Sequence, residues 1–272
     1  MKPTIIKHDG HRLAVILASI IVIGILIGIV IGFNKLRDVY LDQCVIRNMS
    51  EQVSITAGKM VKADVIAMGL GLKNGVNLAE INFAEQRDKL LKRIPTLKTI
   101  TIRRQLPDKV FINVEERSPI AKVNAVHARN VSGKVTDDEG MVFLCHRGTQ
   151  SLPTIREPKS QMTQVGAKLK GRARSALFLI ETCRDPEFQE LNILEIDISK
   201  EDFLVMTLND YSKVQIAWEG MDEENPSVDA KKALSRQLRH LISAIRSKVA
   251  TTTVIWNATM PDTIFADTQK AP

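Results

Sequence analysis

Leu13 to Phe33 is an unbroken run of twenty-one residues without a charge, and Ser19 is its one polar side chain. At 1.5 Å of rise per residue, a helix of that length covers the roughly 30 Å hydrocarbon core of a bilayer. The run is too long for the apolar region of a cleavable signal, and Phe33-Asn34-Lys35-Leu36 offers no small-residue cleavage site. The sequence therefore predicts an uncleaved signal anchor. Residues 1–12 form a tail on one side, residues 13–33 the transmembrane helix, and the remaining 239 residues lie on the other side.

Charge does not settle the orientation, since Lys2, Lys7 and Arg12 on one flank face Lys35, Arg37 and Arg47 on the other. Long domains translocate largely regardless of charge, so the expectation is a cytoplasmic N-terminus with the bulk periplasmic or extracytoplasmic. Within the span, Gly24, Gly28 and Gly32 recur every four residues and share one helix face. Two readings stand for them: a packing face for another membrane helix, or the ordinary abundance of glycine in such helices.

Composition supports a folded exterior, with 44% hydrophobic and 25% charged residues. Of the +7 net charge the tail holds two, through three basic residues and Asp9. The remainder is modest and lacks the basic and aromatic clustering of a nucleic-acid binder. Cys44, Cys145 and Cys183 are an odd number for an oxidising compartment. Cys145 and Cys183 either pair, if their elements meet, or sit buried as small apolar residues. Cys44, close to the membrane, reads as a free thiol or an intermolecular bridge.

After a juxtamembrane linker over residues 34–50, residues 52–56 read as a strand and Met60 to Met68 as a short helix. A glycine-rich loop follows from Gly69 to Gly75. Phe83 to Arg93 is a second helix, with Phe83, Leu90, Leu91 and Ile94 as its apolar stripe and Pro95 ending it. Strands at Leu97–Arg104 and Lys109–Glu116 flank a Leu106-Pro107-Asp108 turn, whose proline fixes φ and whose aspartate can cap it. In the second strand Val110, Ile112 and Val114 share one face, and Phe111, Asn113 and Glu115 the other.

This β-α-α-β-β order over residues 51–118 resembles a POTRA domain, and the residues resemble those of the FtsQ/DivIB family of bacterial cell-division proteins. Gly75-Val76-Asn77-Leu78 is similar to that family's Gly-x-Asn-Leu, and Ile94-Pro95-Thr96-Leu97 to its Leu-Pro-Trp-Val, with Thr96 departing from the tryptophan. Arg103-Arg104-Gln105-Leu106-Pro107-Asp108 resembles Arg-Arg-x-Leu-Pro-Asp, and Glu116-Arg117-Ser118-Pro119-Ile120-Ala121 resembles Glu-Arg-x-Pro-Val-Ala. Residues 135–143 resemble Leu-Val-Asp-x-x-Gly-x-Val-Phe. Arg103 and Arg104 point to opposite faces, so at most one pairs across strands with Glu115 or Glu116. The other reading gives the arginines to a partner, because the resemblance implies that this domain faces other division proteins.

Residues 119–266 read as a mixed, β-rich domain with two helices, making the whole an α+β chain. Short strands at 121–126, 132–136 and 141–144 precede a proline-marked loop from Leu152 to Pro158. Val165 to Cys183 reads as a helix, then Leu191–Ile198, Phe203–Leu208 and Lys213–Trp218 as strands. Asn225-Pro226 opens a long helix. Its stripe is Leu234, Leu238, Leu241, Ile242, Ile245 and Val249, and Lys231, Lys232, Arg236, Arg239 and Arg246 fall on a solvated face or meet an acidic partner. Thr251–Asn257 and Thr263–Ala266 close the sheet, and residues 267–272 form a flexible tail.

A terminal strand offers unpaired backbone groups to a partner strand. In the resembled family the last strands dock the small bitopic proteins FtsB and FtsL, often through Asp-Leu-Arg-Tyr; this chain has Ile255-Trp256-Asn257-Ala258. Trp256 is the expected replacement anchor, with a core position as its alternative. Val254 and Ala258 on the same strand, Phe265 on the next, and Arg103 and Arg104 complete the expected contacts.

Chemistry is weakly signalled. Cys145-His146 point apart on a strand, His8 and His11 are too few for a metal site, and Gly69-Leu70-Gly71 follows a helix instead of a strand. The expectation is no enzyme, no cofactor, no metal and no nucleic acid. What the resemblance implies is a divisome scaffold in the inner membrane that links early and late division proteins, including the septal wall-synthesis machinery. An envelope-assembly or secretion component that binds extended client peptides is the alternative.

Overall fold

The computed structural model of the chain describes residues 9–124, 133–218, 220–223, 226–247, 254–260 and 263–268. His8, Asn225 and Val249 of the sequence reading lie outside them. The chain divides into two compact units, residues 1–56, 63–87 and 101–113 in one and residues 57–62, 88–100 and 114–272 in the other.

In the first unit, α1 (Asp9–Gln43) runs for 35 residues and passes through the span without a break. A side chain added at Gly24, Gly28 or Gly32 would meet no atom within 4 Å, so this face carries nothing from the same chain. The expected linker is largely ordered. The helix continues ten residues past Phe33, and Cys44 to Ile46 then run against residues 75–78, with Ile46 N–H donating to Val76 O at 2.9 Å and Leu78 N–H to Cys44 O at 2.9 Å. Asn77 Nδ2 donates to Leu41 O at 3.0 Å and satisfies one of the orphan carbonyls at the end of α1. The Gly-x-Asn-Leu stretch thus receives the chain as it leaves the apolar helix.

A short helix, α2 (Met49–Gln52), is capped by Asn48, whose Oδ1 accepts from Ser50 N–H. It feeds β1 (Val53–Thr56), which lies parallel to β3 (Lys109–Glu116); β2 (Leu97–Gln105) completes a three-stranded sheet in the order β1-β3-β2. Val110 and Ile112 are buried, with Ile66, Leu70, Leu72 and Leu78 also buried in this unit. Asp108 accepts from Gln52 Nε2 at 2.9 Å, so it ties the turn to α2 as well as shaping it.

The helices of this region are α3 (Ala63–Gly69) and α4 (Phe83–Arg93). The first starts three residues later than the periodicity suggests. Met60 and Val61 give their N–H groups to the Glu116 carboxylate, at 3.0 and 2.7 Å, and are lost to the helix.

The second unit is built on a nine-stranded mixed sheet. Its strands are β4 (Ala121–Val123), β5 (Lys134–Thr136), β6 (Val142–Leu144), β7 (Thr154–Arg156), β8 (Ile193–Asp197), β9 (Leu204–Leu208), β10 (Lys213–Ile216), β11 (Val254–Met260) and β12 (Thr263–Thr268). They are ordered β12-β11-β10-β9-β8-β7-β4-β5-β6. β7 falls where the prolines suggest a loop; they hide three residues that pair parallel with both β4 and β8. Parallel neighbours need a crossover. Helix α5 (Arg172–Cys183) supplies it between β7 and β8, and α6 (Val228–Ser247) between β10 and β11.

Both helices pack with one face of the sheet. Register puts Val123, Ile155, Ile196, Met206, Val214 and Trp256 in a row across six strands, all buried in the same core as α5 and the apolar stripe of α6. Residues one place along, such as Arg156, Asp197, Gln215 and Asn257, form the opposite and wetter face. Nearly every residue of α5 is buried, as expected for a helix deep in the core.

Helix α5 begins at Arg172 instead of Val165. Gly166 and Gly171 sit at φ +86° and +51°, and residues 166–169 bond along β6, with Val142 N–H donating to Ala167 O and Leu169 N–H to Gly140 O. For α6, the Ser227 hydroxyl accepts from Ala230 N–H, so the cap is Ser227 and Pro226 lies before it.

Candidate partner-binding edge

Of the sheet's two edges, one is covered. β6 has β5 on one side and residues 166–169 on the other, with a bridge from Met141 to Lys168. β12 pairs with β11 alone, and among the described residues no strand lies against its outer edge. Two large apolar side chains stand out here, Met260 at 59% and Phe265 at 56% exposure. Ile264 is half-buried against the core.

The expected anchor is elsewhere. Trp256 is 6% exposed and belongs to the core row, and Ala258 is fully buried with its carbonyl taken by Gln237 Nε2. β11 is an internal strand, held by β10 in parallel and β12 antiparallel. Val254 starts that strand opposite Thr268. Phe265, on the edge strand itself, lies opposite Asn257 on the face away from Trp256. Between Asn257 and Met260 the register shifts, and Asn257 Oδ1 accepts from Thr259 N–H and its hydroxyl at 3.1 and 2.8 Å. The sequence reading missed this bulge and Met260; Asn two residues before Thr in a strand pattern is its only local trace.

The basic residues of α6 divide in two. Arg239 pairs with Glu187 at 2.8 Å and Arg246 with Glu190 at 2.6 Å, fixing the helix to the segment after α5. Lys231, Lys232 and Arg236 remain exposed.

In the first unit, Arg104 lies 4.6 Å over the Phe83 ring and donates to Ile81 O at 2.5 Å, while Arg103 stands exposed. The cross-strand ion pair with Glu115 or Glu116 does not form among the described residues. Glu115 accepts from the Thr99 hydroxyl at 3.1 Å, and Glu116 is taken by the Met60 and Val61 amides.

Arg117 holds the stronger constellation. Its side chain donates to Pro95 O at 3.1 Å, to Asp137 Oδ2 at 2.5 Å and to Glu139 Oε2 at 2.8 Å. Lys98 reaches Asp138 and Glu139, each at 3.5 Å. Asp137 in turn accepts from Met141 N–H at 2.8 Å and so shapes the turn that Gly140 closes at φ +78°. Burial opposes the Arg117 charge, but its bonds to Glu139 and Asp137 outweigh that and raise its pKa. The same bond from Arg117, aided by Lys98 and opposed by partial burial, holds Glu139 below the usual carboxylate range. Two of the family-like stretches are thus halves of one buried ion cluster, a link that spacing alone does not reveal.

The three cysteines are buried and free. Cys145 packs with Val135 and Phe143 and contacts Arg147 O, whereas Cys183 belongs to the main core, so the two do not pair. Burial, with the charge of Asp185, pushes the Cys183 thiol up to about 12. His146 lies against Gly133, and the Cys145 thiol is directed to Arg147 O. No group of three His, Cys, Asp or Glu suited to a metal occurs among the described residues. Thiol labelling of the folded full-length chain at pH 8 is expected to run at least about a hundredfold slower than after denaturation, when all three react. Rapid labelling of any one in the folded chain would contradict this burial.

Comparison with known proteins identifies part of the chain. Residues 49–117 match the family model of the POTRA domain, FtsQ-type, and are a POTRA domain of that type. Over 73 residues the chain is 29% identical to a cell division protein DivIB of Clostridium acetobutylicum, covering 27% of this chain and 29% of that relative's length. The chain thus spans under a third of the curated relative it matches.

Proposed function

We propose that this chain, whose residues 49–117 are a POTRA domain of FtsQ type behind one apolar helix, is a single-pass scaffold of the bacterial division machinery. Its N-terminus lies in the cytoplasm and its two folded regions outside the membrane. The likeness over 73 residues to a division protein supports the process, and the uncovered edge of β12 is the observation that carries the mechanism. Binding is strand addition: a partner's extended segment completes the backbone hydrogen bonds of β12, and Phe265 and Met260 give it apolar contacts. Small bitopic division proteins and the septal wall-synthesis machinery are the partners this role requires. Arg103 and Arg104 provide a second contact on the POTRA domain, and the Gly24, Gly28 and Gly32 face a third within the bilayer.

An N-terminal fluorescent fusion followed through division tests the reading. The expected result is a sharp band at the constriction. Phe265→Lys should keep that band but lose the partners that arrive afterwards, because a charge replaces the apolar contact while the fold is untouched. Uniform membrane fluorescence through constriction would refute the assignment.

A further inference from the structure

We propose that Lys231, Lys232 and Arg236, on the outer face of α6, form a docking surface for an extended acidic segment of a partner protein, separate from the β12 edge. The helix carries five cations, Lys231, Lys232, Arg236, Arg239 and Arg246, against one acid, Asp229. These cations divide by position. Arg239 and Arg246, further along the helix, are neutralised by Glu187 and Glu190. Lys231, Lys232 and Arg236 are exposed and meet no carboxylate among the described residues.

That arrangement opposes the helix it sits on. Lys232 and Arg236 are one turn apart on the same face, and like charges at that spacing repel. Lys231 closes the first turn, where the positive end of the macrodipole disfavours a cation. Glu187 and Glu190 show what relieves such a cost in α6: an acidic side chain on a segment alongside. The patch has no such segment within the described chain, so charge complementarity calls for an acidic one from outside. Spacing favours an extended form. Lys232 and Arg236 are about 6 Å apart along the axis, and alternate residues of an extended segment, which project to one side, are about 6.6 Å apart. Carboxylates at alternate positions therefore meet both cations, with Lys231 on the flank. The patch is also held rigidly, since Leu234, Gln237 and Leu238 are buried beside it and Gln237 Nε2 donates to Ala258 O. A lipid surface fits less well. The apolar side of α6 already lies in the core, which leaves nothing to insert into a bilayer.

Binding of a fluorescent peptide of four Glu-Ser repeats to the full-length chain in neutral detergent, followed by anisotropy, tests this. In about 50 mM salt its affinity is expected to exceed that of four Gln-Ser repeats by at least about tenfold, and the preference should vanish near about 500 mM. Lys231→Gln, Lys232→Gln and Arg236→Gln together should abolish the preference. Glutamine is a good helix former, so this triple variant should keep the circular dichroism of the parent. Arg246→Gln, whose cation is already held by Glu190, should keep the preference. Equal affinity for the two peptides, or a preference that survives in the triple variant, would overturn the proposal. Phe265→Ala should leave both affinities unchanged; a loss there equal to that of the triple variant would move the peptide to the β12 edge and overturn the patch. A polarity-sensitive dye on Ser243→Cys that shifts to the blue in phosphatidylglycerol but not phosphatidylcholine nanodiscs would assign this face to a lipid surface and overturn it as well.

Discussion

Trp256→Ala is expected to destabilise the folded chain by about 3–5 kcal/mol, the range for truncating a large buried aromatic. Trp256 ends a row of buried side chains that crosses six strands, and it belongs to the same core as Val214, Ala258 and the apolar stripe of α6. Truncation leaves a cavity that a strand locked on both sides cannot collapse to fill. Phe265→Ala, on the exposed edge, should shift stability by no more than about 0.5 kcal/mol. Denaturant midpoints of the full-length chain in detergent, followed by circular dichroism, separate the two. A Trp256→Ala chain of unchanged midpoint that still failed to bind partners would return the anchor role to Trp256. The contrast also decides how mutants are read in cells: loss of recruitment by Trp256→Lys reports unfolding, and loss by Phe265→Lys reports the edge.

Arg117→Ala should cost about 3–5 kcal/mol, because it strands a buried carboxylate. The Asp137 side chain is 1% exposed and loses its guanidinium partner. Arg103→Ala, at an exposed position, is the control and should be near neutral. The pH dependence has a definite sign. Glu139 titrates below its unfolded value in the folded chain, so its contribution is complete above the ordinary carboxylate range of roughly 4. It is lost as pH falls through the depressed folded value. Glu181 acts in the opposite sense, since burial raises its pKa and its protonation relieves a cost. Without Arg117 the depression of Glu139 disappears, so the gap between wild type and Arg117→Ala should narrow as acid is added. A gap constant from neutral to acid pH would show that the pair is not coupled to titration.

Local signals were read well where they were periodic. The boundaries of α4 follow from a stripe ended by Pro95, and those of β3 from strict alternation of Val110, Ile112 and Val114. Signals failed where a distant group overrode the local pattern. Met60 and Val61 have helical periodicity, yet Glu116 takes their amides. Residues 165–171 carry apolar residues at helical spacing, but Gly166 and Gly171 permit a turn that closes the edge at β6. β7 was hidden because three residues buried between two parallel neighbours show no alternation to recognise. At the candidate site the edge is legible because its strand is the last one in the sequence pattern. The burial of Trp256 is not, since an aromatic on a penultimate strand faces inward or outward with the same sequence.

The continuity of α1 has a mechanical consequence. Ten helical residues carry the chain about 15 Å beyond Phe33, and residues 44–46 then join directly to residues 75–78 without a flexible joint. The anchor is therefore a rigid stem with no slack. In the proposed anchoring, its length sets how far residues 44–78 stand from the bilayer, and rotation or tilt of the stem turns them with it. A helix packed against the glycine face, as proposed, would gain a lever on residues 44–78, which the stem holds at its other end.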